Sequence, residues 1–376
     1  MRLSIEVLRS VEEIPEQDIL RWNELARNPF QRWEWLGSWW SSYQEEYLLH
    51  ILSVKRNNET IAFAPWCMDK RLLTGRTLQF LGSGKACTDH LSLLVDPTDT
   101  QVVCDALARW AAEGNAANQA DLPRQLVWDA IELIGVDKTD EPINCLVNSM
   151  RKLGLAVIQT EGVSCYAIDL PPSWDEYVTM RSKSGRREIR QAQQCIDNGT
   201  IVLHSIRDRQ ELETFWDQFV VLHQRRRQAA GTSGCFDDPR FGVFLRRAAT
   251  RLLDAGMLEL VVASIDGAAV ATQLAVADDD CWYFYQSGMD PDYTDRRPGL
   301  NVLCHTIRKT IESGRRRYDM LRGDEPYKLR WRAELQPTQE IRVCSPRRSA
   351  KVRNLTYNAL VTVKNLVTTS DGLWGS

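Results

Sequence analysis

The sequence lacks the cysteine and histidine spacings that bind zinc. Its ten cysteines are scattered, no two of them form a C-x-x-C pair, and only five histidines occur among 376 residues. A zinc site needs several such ligands grouped together, so we expect no metal. Scattered cysteines in a chain of this composition indicate reduced thiols, most of them buried.

Long apolar runs and a large net charge are absent as well. No stretch reaches the roughly 18 apolar residues that a membrane-spanning helix needs. The opening residues MRLSIEVLRSVEEI alternate and carry acids early, unlike a signal peptide. The formal net charge of −3 gives no electrostatic reason to expect nucleic acid as a partner of the whole molecule. We therefore expect a cytoplasmic protein.

The chain has an average globular composition and a length that exceeds one ordinary domain. Hydrophobic residues make up 43% and charged residues 26%, and single cores stop growing at about 250–300 residues. The Pro171-Pro172 pair interrupts the chain near its middle, which favours a boundary there. The predicted parts are one unit at 1–172, a second unit at 173–345, and a basic amphipathic helix at 346–376.

Both halves predict a similar order of elements. In the first half, two alternating segments flank a polar turn at 56–59, and a helix rich in Ala and Leu follows at about 100–114. In the second half, Asp266-Gly267 predicts a hairpin, CWYFYQSGM predicts a third strand, and a helix begins at Pro298. The sequence thus predicts an α+β protein with a weak internal duplication.

Tryptophans are concentrated near the start of the chain. Trp33, Leu36, Trp39 and Trp40 recur at helical spacing, which predicts a buried helix face. Because Trp39 and Trp40 are consecutive, both cannot face the same way, and one of them could line a groove between the two units.

Two polar segments follow predicted strands of the second half. In the first, Arg296 and Arg297 precede Pro298-Gly299, where the free backbone N–H groups of a helix start can bind a pyrophosphate. An ordinary strand-to-helix turn with solvated arginines is the alternative. The second segment, LRGDEPYKLRW, follows the last buried strand and brings two acids, a tyrosine and a lysine together within a few residues.

LRGDEPYKLRW, preceded by the Asp-Gly hairpin, the aromatic strand and the Pro-Gly helix start, resembles the GNAT-like acyltransferases that carry a BioF2-like acetyltransferase domain. That family includes CelD-like proteins linked to cellulose or exopolysaccharide synthesis. It is distantly related to the FemAB aminoacyl transferases, which contain two GNAT-like units in one chain. The resemblance extends over most of residues 20–335 and implies two GNAT-like units in tandem, with mixed sheets flanked by helices.

The resemblance also implies a co-substrate and its site. Acyl-CoA, most often acetyl-CoA, would bind where two neighbouring parallel strands separate, with its pyrophosphate on the following helix start. The usual loop has Arg or Gln, two residues, Gly, one residue, then Gly or Ala. Arg296 and Gly299 fit that pattern, whereas Asn301 takes its last place. The predicted donor-binding residues are Arg296, Arg297, Gly299, Leu300 and Asn301.

Acyl transfer to an amine needs a base for the ammonium proton and a donor that stabilises the oxyanion. Asp324 or Glu325 could be the base, and Tyr327 or Lys328 could protonate the leaving thiolate or hold an anionic substrate. A polar turn whose side chains satisfy one another is the alternative. The predicted substrate-binding residues are His223, Arg226, Arg322, Trp331, Asp89 and His90.

These features predict an acyltransferase that moves an acyl group from acyl-CoA to an amine, or a hydroxyl, of a sugar or cell-envelope precursor. Two alternatives stay open: aminoacyl-tRNA as the donor, and a non-catalytic module of a polysaccharide-synthesis complex. The expected partners are a small-molecule or glycan acceptor and polysaccharide-synthesis proteins. The helix at 346–376 could also contact a membrane surface, and the basic helix at 181–190 most simply presents a solvated face.

Overall fold

The computed structural model describes residues 3–69, 75–113, 127–347 and 350. The predicted helix at 346–376 lies almost entirely outside the described residues. Within them, the helices are α1 (Glu16–Leu25), α2 (Trp33–Tyr43), α3 (Thr100–Glu113), α4 (Glu141–Lys152), α5 (Trp174–Met180), α6 (Lys183–Asp197), α7 (Arg209–Ala229), α8 (Pro239–Asp254), α9 (Pro298–Glu312) and α10 (Pro326–Arg330).

The strands divide between the two halves of the chain. Those before residue 165 are β1 (Leu3–Leu8), β2 (Tyr47–Leu49), β3 (Ile51–Arg56), β4 (Glu59–Ala64), β5 (Trp66–Asp69), β6 (Thr77–Phe80), β7 (Leu94–Val95), β8 (Ala130–Asp137) and β9 (Ala156–Glu161). Those that follow are β10 (Cys165–Asp169), β11 (Val202–Ser205), β12 (Leu258–Ile265), β13 (Ala268–Ala277), β14 (Cys281–Met289), β15 (Arg317–Arg322), β16 (Glu334–Gln336) and β17 (Thr338–Cys344).

The two halves form closely similar sheets. The second half has one sheet in the order β11-β12-β13-β14-β15-β10-β16. The first half has two sheets, in the orders β1-β3-β4-β7 and β2-β5-β6-β8-β17-β9, and in sequence β2 leads into β3 and β4 into β5. Each half contains one parallel pair, β6 with β8 and β14 with β15. The predicted α+β fold and its duplication are confirmed.

Two strands cross the predicted boundary at residue 172. Strand β10, from the end of the first half, pairs with β15, whereas β17, from the end of the second half, pairs with β8 and β9. Each half therefore gives one strand to the sheet of the other. The division of the chain into units at 1–172 and 173–345 stays a prediction, and these strand pairings show that a cut at 172 would remove a strand from the second sheet.

One hydrophobic core continues from the first half into the second. Helix α2 packs against α8, and the Trp35 ring lies 4.9 Å from the rings of both Phe244 and Tyr285. Trp39 and Trp40 are buried as well, so neither lines a groove. The expected tryptophan core is present, and it forms the contact between the two halves.

Helix α7 lies directly on β14 at Gly288. A Cβ atom at this position would come within 2.4 Å of the backbone nitrogen of His223 and within 2.6 Å of the carbonyl carbon of Leu222. Both contacts involve backbone atoms, which cannot move aside by a change of rotamer. Residue 288 is therefore a glycine because helix and strand touch here.

We predict that Gly288→Ala lowers the free energy of unfolding by about 2–3 kcal/mol, since it overpacks a helix–strand contact. Urea denaturation would measure the change. Gly242→Ala is the matched control, because a Cβ on Gly242 would meet only a Phe236 carbon at 3.6 Å. Equal stability of the two variants would contradict the assigned contact.

Candidate functional site at the separation of two parallel strands

The candidate site lies where the parallel strands β14 and β15 separate. The two strands pair from Cys281 opposite Arg317 to Tyr283 opposite Asp319. Beyond these residues β14 continues along β13, and β15 continues along β10. In this described part of the sheet the two strands no longer satisfy each other's backbone groups. A ligand placed between them could form those hydrogen bonds instead.

Each of the two strands contains an extra residue at this point. On β14, Leu274 opposes Gln286 while Ala275 opposes Phe284, so Tyr285 is inserted. On β15, the register of pairing with β10 also shifts between Asp319 and Arg322. A bulge turns neighbouring side chains toward the same face and bends the strand. The bulges therefore widen the gap and concentrate side chains on the face toward the first half.

Leu321 marks the bulge of β15 by its backbone conformation. Its φ is +54°, which is uncommon for a residue other than glycine. The Leu321 N–H donates to Oδ1 of Asp319 at 2.8 Å. The buried Asp319 carboxylate therefore holds the bulge in place.

On the α9 face of the sheet, the separation opens into a cleft of about 350 Å³, here called the donor cleft. It extends from the start of α9 to α10 and is mostly apolar. Its lining residues are Arg226, Thr272, Gln273, Phe284, Ser287, Gly288, Met289, Gly299, Leu300, Val302, Leu303, Tyr327, Arg330 and Trp331.

On the opposite face, between the two halves of the chain, lies a cavity of about 180 Å³, here called the interunit cavity. Its lining residues are Lys85, Ala86, Cys87, Asp89, Arg226, Arg227, Cys235, Phe284, Tyr285, Gln286, Ser287, Met320, Leu321, Arg322, Glu325, Tyr327 and Lys328. Arg226, Phe284, Ser287 and Tyr327 line both spaces. The donor cleft and the interunit cavity therefore meet at the separation of the strands.

The predicted donor-binding residues surround the start of α9. Gly299 and Leu300 line the donor cleft, and Arg296 and Arg297 are exposed beside it. Arg297 occupies the N-cap position with φ +50°. Asn301, which departs from the usual loop pattern, is buried and donates from Nδ2 to the Arg297 carbonyl at 2.9 Å. It thus helps to fix the helix start, leaving the first N–H groups of α9 for a ligand.

Lys328 is buried at the end of β15, where three carbonyl oxygens converge on it. Its Nζ lies 3.1, 2.8 and 3.0 Å from the carbonyl oxygens of Leu321, Arg322 and Gly323. It is also 3.1 Å from Oε2 of Glu325. These contacts engage the ammonium group fully, so they favour a role in holding the strand end over the predicted role in proton transfer.

The two candidate bases differ in position. Glu325 lines the interunit cavity, and although burial opposes its charge, Lys328 lowers the pKa of its carboxyl. Asp324 is exposed, lines none of the described cavities, and accepts a hydrogen bond from the Tyr166 hydroxyl at 3.3 Å. Of the two predicted acids, Glu325 is the one that can reach a bound acceptor.

Tyr327 stands between the donor cleft and the interunit cavity. Burial raises the pKa of its hydroxyl to about 12. The phenol therefore stays protonated at neutral pH and can donate a hydrogen bond to developing negative charge. Trp331, four residues on, is buried, lines the donor cleft, and has the Arg181 guanidinium 4.4 Å from its ring.

Asp89 and His90 reach from the first half to β15. Asp89 is buried, and its Oδ1 lies 2.6 Å from Nη2 and 2.8 Å from Nε of Arg322. His90 has its Nδ1 2.8 Å from Oδ1 of Asp137 and its Nε2 3.4 Å from Oδ2 of Asp319. Both residues were predicted to bind substrate. The structure places Asp89 at the wall of the interunit cavity, and it places His90 in a buried bridge between two carboxylates.

The remaining predicted residues surround β14. His223 is fully buried and lines none of the described cavities; its Nε2 is 3.0 Å from Oε1 of Gln286, which does line one. Burial lowers the pKa of the His223 imidazole, so the ring is neutral at pH 7 and acts through Gln286. Arg226 lines both cavities and donates from Nη1 to the Ser287 hydroxyl.

Several lining residues were not predicted. Phe284, Tyr285, Gln286 and Ser287 belong to the strand CWYFYQSGM, which the sequence shows clearly. A regular strand would alternate these side chains between the two faces. The bulge at Tyr285 breaks that alternation, so that both Tyr285 and Gln286 line the interunit cavity.

Comparison with known families identifies this region. Residues 181–329 match the model of the acetyltransferase (GNAT) domain. The chain contains a GNAT domain. The match includes β14, the start of α9 and β15, and it makes the chain an acyltransferase of this kind. A search of curated proteins found no match.

Solved structures resemble the GNAT domain together with the first half of the chain. FemX superposes with a TM-score of 0.60 at 13% identity, over 89% of this chain and 96% of that one. A conserved protein of unknown function from Bacteroides thetaiotaomicron gives 0.54 at 11%, over 91% and 100%. The C-terminal DUF2156 domain of a protein from Agrobacterium fabrum gives 0.54 at 10%, over 92% and 96%. At such identities the likeness is one of fold.

The described ranges contain no helix with the length and apolarity needed to cross a bilayer. Nor do they contain a group of three or more His, Cys, Asp or Glu side chains arranged to hold a metal ion. The described cysteines are all free, and five of them are buried.

His90 predicts a pH dependence of stability. Burial disfavours its charged form, but Asp319 and Asp137 outweigh burial and raise the pKa of the imidazole well above 6.5. A raised folded-state pKa gives stabilisation that is complete below the unfolded value and is lost as the pH rises through the folded one. Wild type should therefore exceed His90→Asn most at pH 6, by about 3 kcal/mol for a broken buried ion pair, and less at pH 9.

Asn is the suitable replacement because the φ of His90 is +58°, a region that Asn tolerates. Urea denaturation at both pH values would measure the difference in free energy of unfolding. A difference that stays constant or grows with pH would contradict a charged His90.

Proposed function

We propose that the chain transfers an acyl group from acyl-CoA to an amine, or less often a hydroxyl, of a sugar or cell-envelope precursor. The observation that supports this proposal is the meeting of two separate spaces at the parting of β14 and β15. A two-substrate transfer needs separate sites for donor and acceptor that meet at the reacting atoms. The donor cleft would hold acyl-CoA, and the interunit cavity would hold the acceptor.

The described residues of the donor cleft fit an acyl-CoA. Its walls are mostly apolar, which suits the pantetheine chain, and it ends at the start of α9. There the unpaired N–H groups and the positive end of the helix dipole favour a pyrophosphate. Arg296 and Arg297 add two exposed positive charges beside this helix start. When bound, acyl-CoA supplies an activated thioester carbonyl and a thiol leaving group.

The residues between the cleft and the cavity would serve the transfer as follows. The acceptor nitrogen forms a bond to the thioester carbon, the carbon–sulfur bond breaks, and the proton leaves the nitrogen. Glu325, which is ionised at neutral pH, would take that proton. The Tyr327 hydroxyl would donate a hydrogen bond to the negative charge that develops on the thioester oxygen or sulfur. No covalent enzyme intermediate is needed.

Aminoacyl-tRNA is the rival donor, because the fold also resembles FemX. That likeness concerns the fold alone. Binding of tRNA would neutralise many phosphates and would weaken steeply with added salt. The donor can therefore be distinguished by a binding experiment.

We expect acetyl-CoA to bind saturably in isothermal calorimetry, and Arg296→Ala combined with Arg297→Ala to weaken it by about tenfold or more, since hydrogen bonds to charged groups are lost. Arg246→Ala with Arg247→Ala is the matched control, because these exposed arginines of α8 lie outside the donor cleft. Failure of every acyl-CoA to bind, with salt-sensitive binding of tRNA, would overturn the proposed donor.

The choice of base is also testable. Glu325→Gln should lower kcat by about 10²–10³-fold, as expected for loss of a general base, while Asp324→Asn should leave kcat nearly unchanged. The rate of thiol release with an amine that the wild-type enzyme acetylates would measure both. If Asp324→Asn lost the activity and Glu325→Gln kept it, the base would be assigned to the wrong carboxylate.

A further inference from the structure

The interunit cavity has an excess of positive charge that its own carboxylates do not neutralise. Five cationic side chains and two acidic ones line it. The cationic residues are Lys85, Arg226, Arg227, Arg322 and Lys328, and the acidic residues are Asp89 and Glu325. The direction of this imbalance bears on the chemistry of the acceptor.

Three of the five positive charges are already paired. Arg322 lies 2.6 Å from Asp89, and Lys328 lies 3.1 Å from Glu325. Lys85 lies 2.6 Å from Asp238, which is not part of the lining. Both acidic residues of the cavity are therefore used, and two guanidinium groups remain.

Arg226 and Arg227 are these two groups. Within the described chain, no carboxylate lies within ion-pair distance of either of them; Arg226 donates to the Ser287 hydroxyl. Their charges act on the Tyr327 hydroxyl between the two spaces. The preceding residue, Arg225, turns away and pairs with Asp290 and Asp292.

This contrast separates a built site from an ordinary basic helix end. Cations in the last turn of a helix are favoured by its dipole wherever they point. Here the three consecutive arginines at the end of α7 divide between two surroundings. Arg225 has two carboxylate partners, whereas Arg226 and Arg227 face a cavity in which an incoming anion would be the missing partner. Guanidinium groups bind phosphate and carboxylate with paired hydrogen bonds.

We infer that the acceptor is an anionic amine, whose phosphate or carboxylate binds Arg226 and Arg227 while its amino group lies toward Glu325. This inference rests on the proposed function for the identity of the cavity. It adds a substrate class: the molecule carries both an ammonium group and a negative charge. Arg226, which lines both spaces, would fix the acceptor beside the thioester, and Arg227, which lines only the interunit cavity, would select for the charge.

Matched pairs of small amines test this inference. O-phosphoethanolamine and β-alanine carry a phosphate and a carboxylate, and ethanolamine is the neutral control. Each would be titrated calorimetrically into the full chain, with and without saturating CoA to fill the donor cleft. We expect at least one of the two anionic amines to bind about tenfold or more tightly than ethanolamine, as hydrogen bonds to a charged group allow. The one that binds distinguishes phosphate from carboxylate.

Variants locate the binding. Arg227→Gln and Arg226→Gln should each remove the preference for the anionic amine, Arg227→Lys should keep part of it, and Arg247→Gln should keep all of it. Thermal melting would show that each variant is folded. Equal binding of the anionic and neutral amines, or a preference that survives in the Arg226→Gln, Arg227→Gln double variant, would overturn the inference.

The outcomes also separate this inference from the proposed function. Binding of acetyl-CoA without any preference for anionic amines would leave the acyltransferase proposal standing and remove the anionic acceptor. Loss of anion binding on addition of CoA would show that the anion occupied the donor cleft, which contradicts the inference. A preference for anionic amines without binding of any acyl-CoA would remove the proposed donor and leave the anion site.

Discussion

The separation of β14 from β15 is the constraint on which the rest of the site depends. Two parallel strands that paired along their whole length would close the sheet and leave no passage between its faces. Here pairing stops at Tyr283 opposite Asp319, and an extra residue on each strand bends them apart. The donor cleft and the interunit cavity meet only because of this gap.

An open sheet has a cost, and the chain offsets it locally. Carbonyl oxygens at the end of β15 would otherwise lack partners, and unpaired buried carbonyls are destabilising. The Lys328 ammonium satisfies three of them, and the Asp319 carboxylate accepts from Leu321 N–H inside the bulge. Some of the polar residues of LRGDEPYKLRW thus keep the strand end in place, while Glu325 and Tyr327 face the space it opens.

The first half of the chain contributes directly to this arrangement. Asp89 pairs with Arg322, His90 lies against Asp319, and the Ala86 carbonyl accepts from the Tyr285 hydroxyl at 2.7 Å. These contacts reach both strands at the point where they separate. The shared tryptophan core and the exchange of β10 and β17 hold the two halves together. A second GNAT-like unit in this chain therefore supports the gap and forms one wall of the interunit cavity.

The sequence allowed prediction of local features but not of pairings between distant segments. Hydrophobic periodicity, the Asp266-Gly267 turn and the Pro298 helix start predicted most elements of the second half, because each depends on neighbouring residues. Strand β17 was not predicted, since its partner β8 is about 200 residues away and the segment is short. The role of Lys328 could not be predicted either, because a buried lysine and a catalytic one look alike until the carbonyl groups around it are known.

The most direct test of this account is a crystal structure of the protein with a non-hydrolysable acyl-CoA analogue. The account predicts the pyrophosphate at the start of α9 and the carbonyl carbon of the analogue in the gap between β14 and β15, within reach of Tyr327. An analogue bound elsewhere, or a gap closed by continued pairing of the two strands, would contradict it.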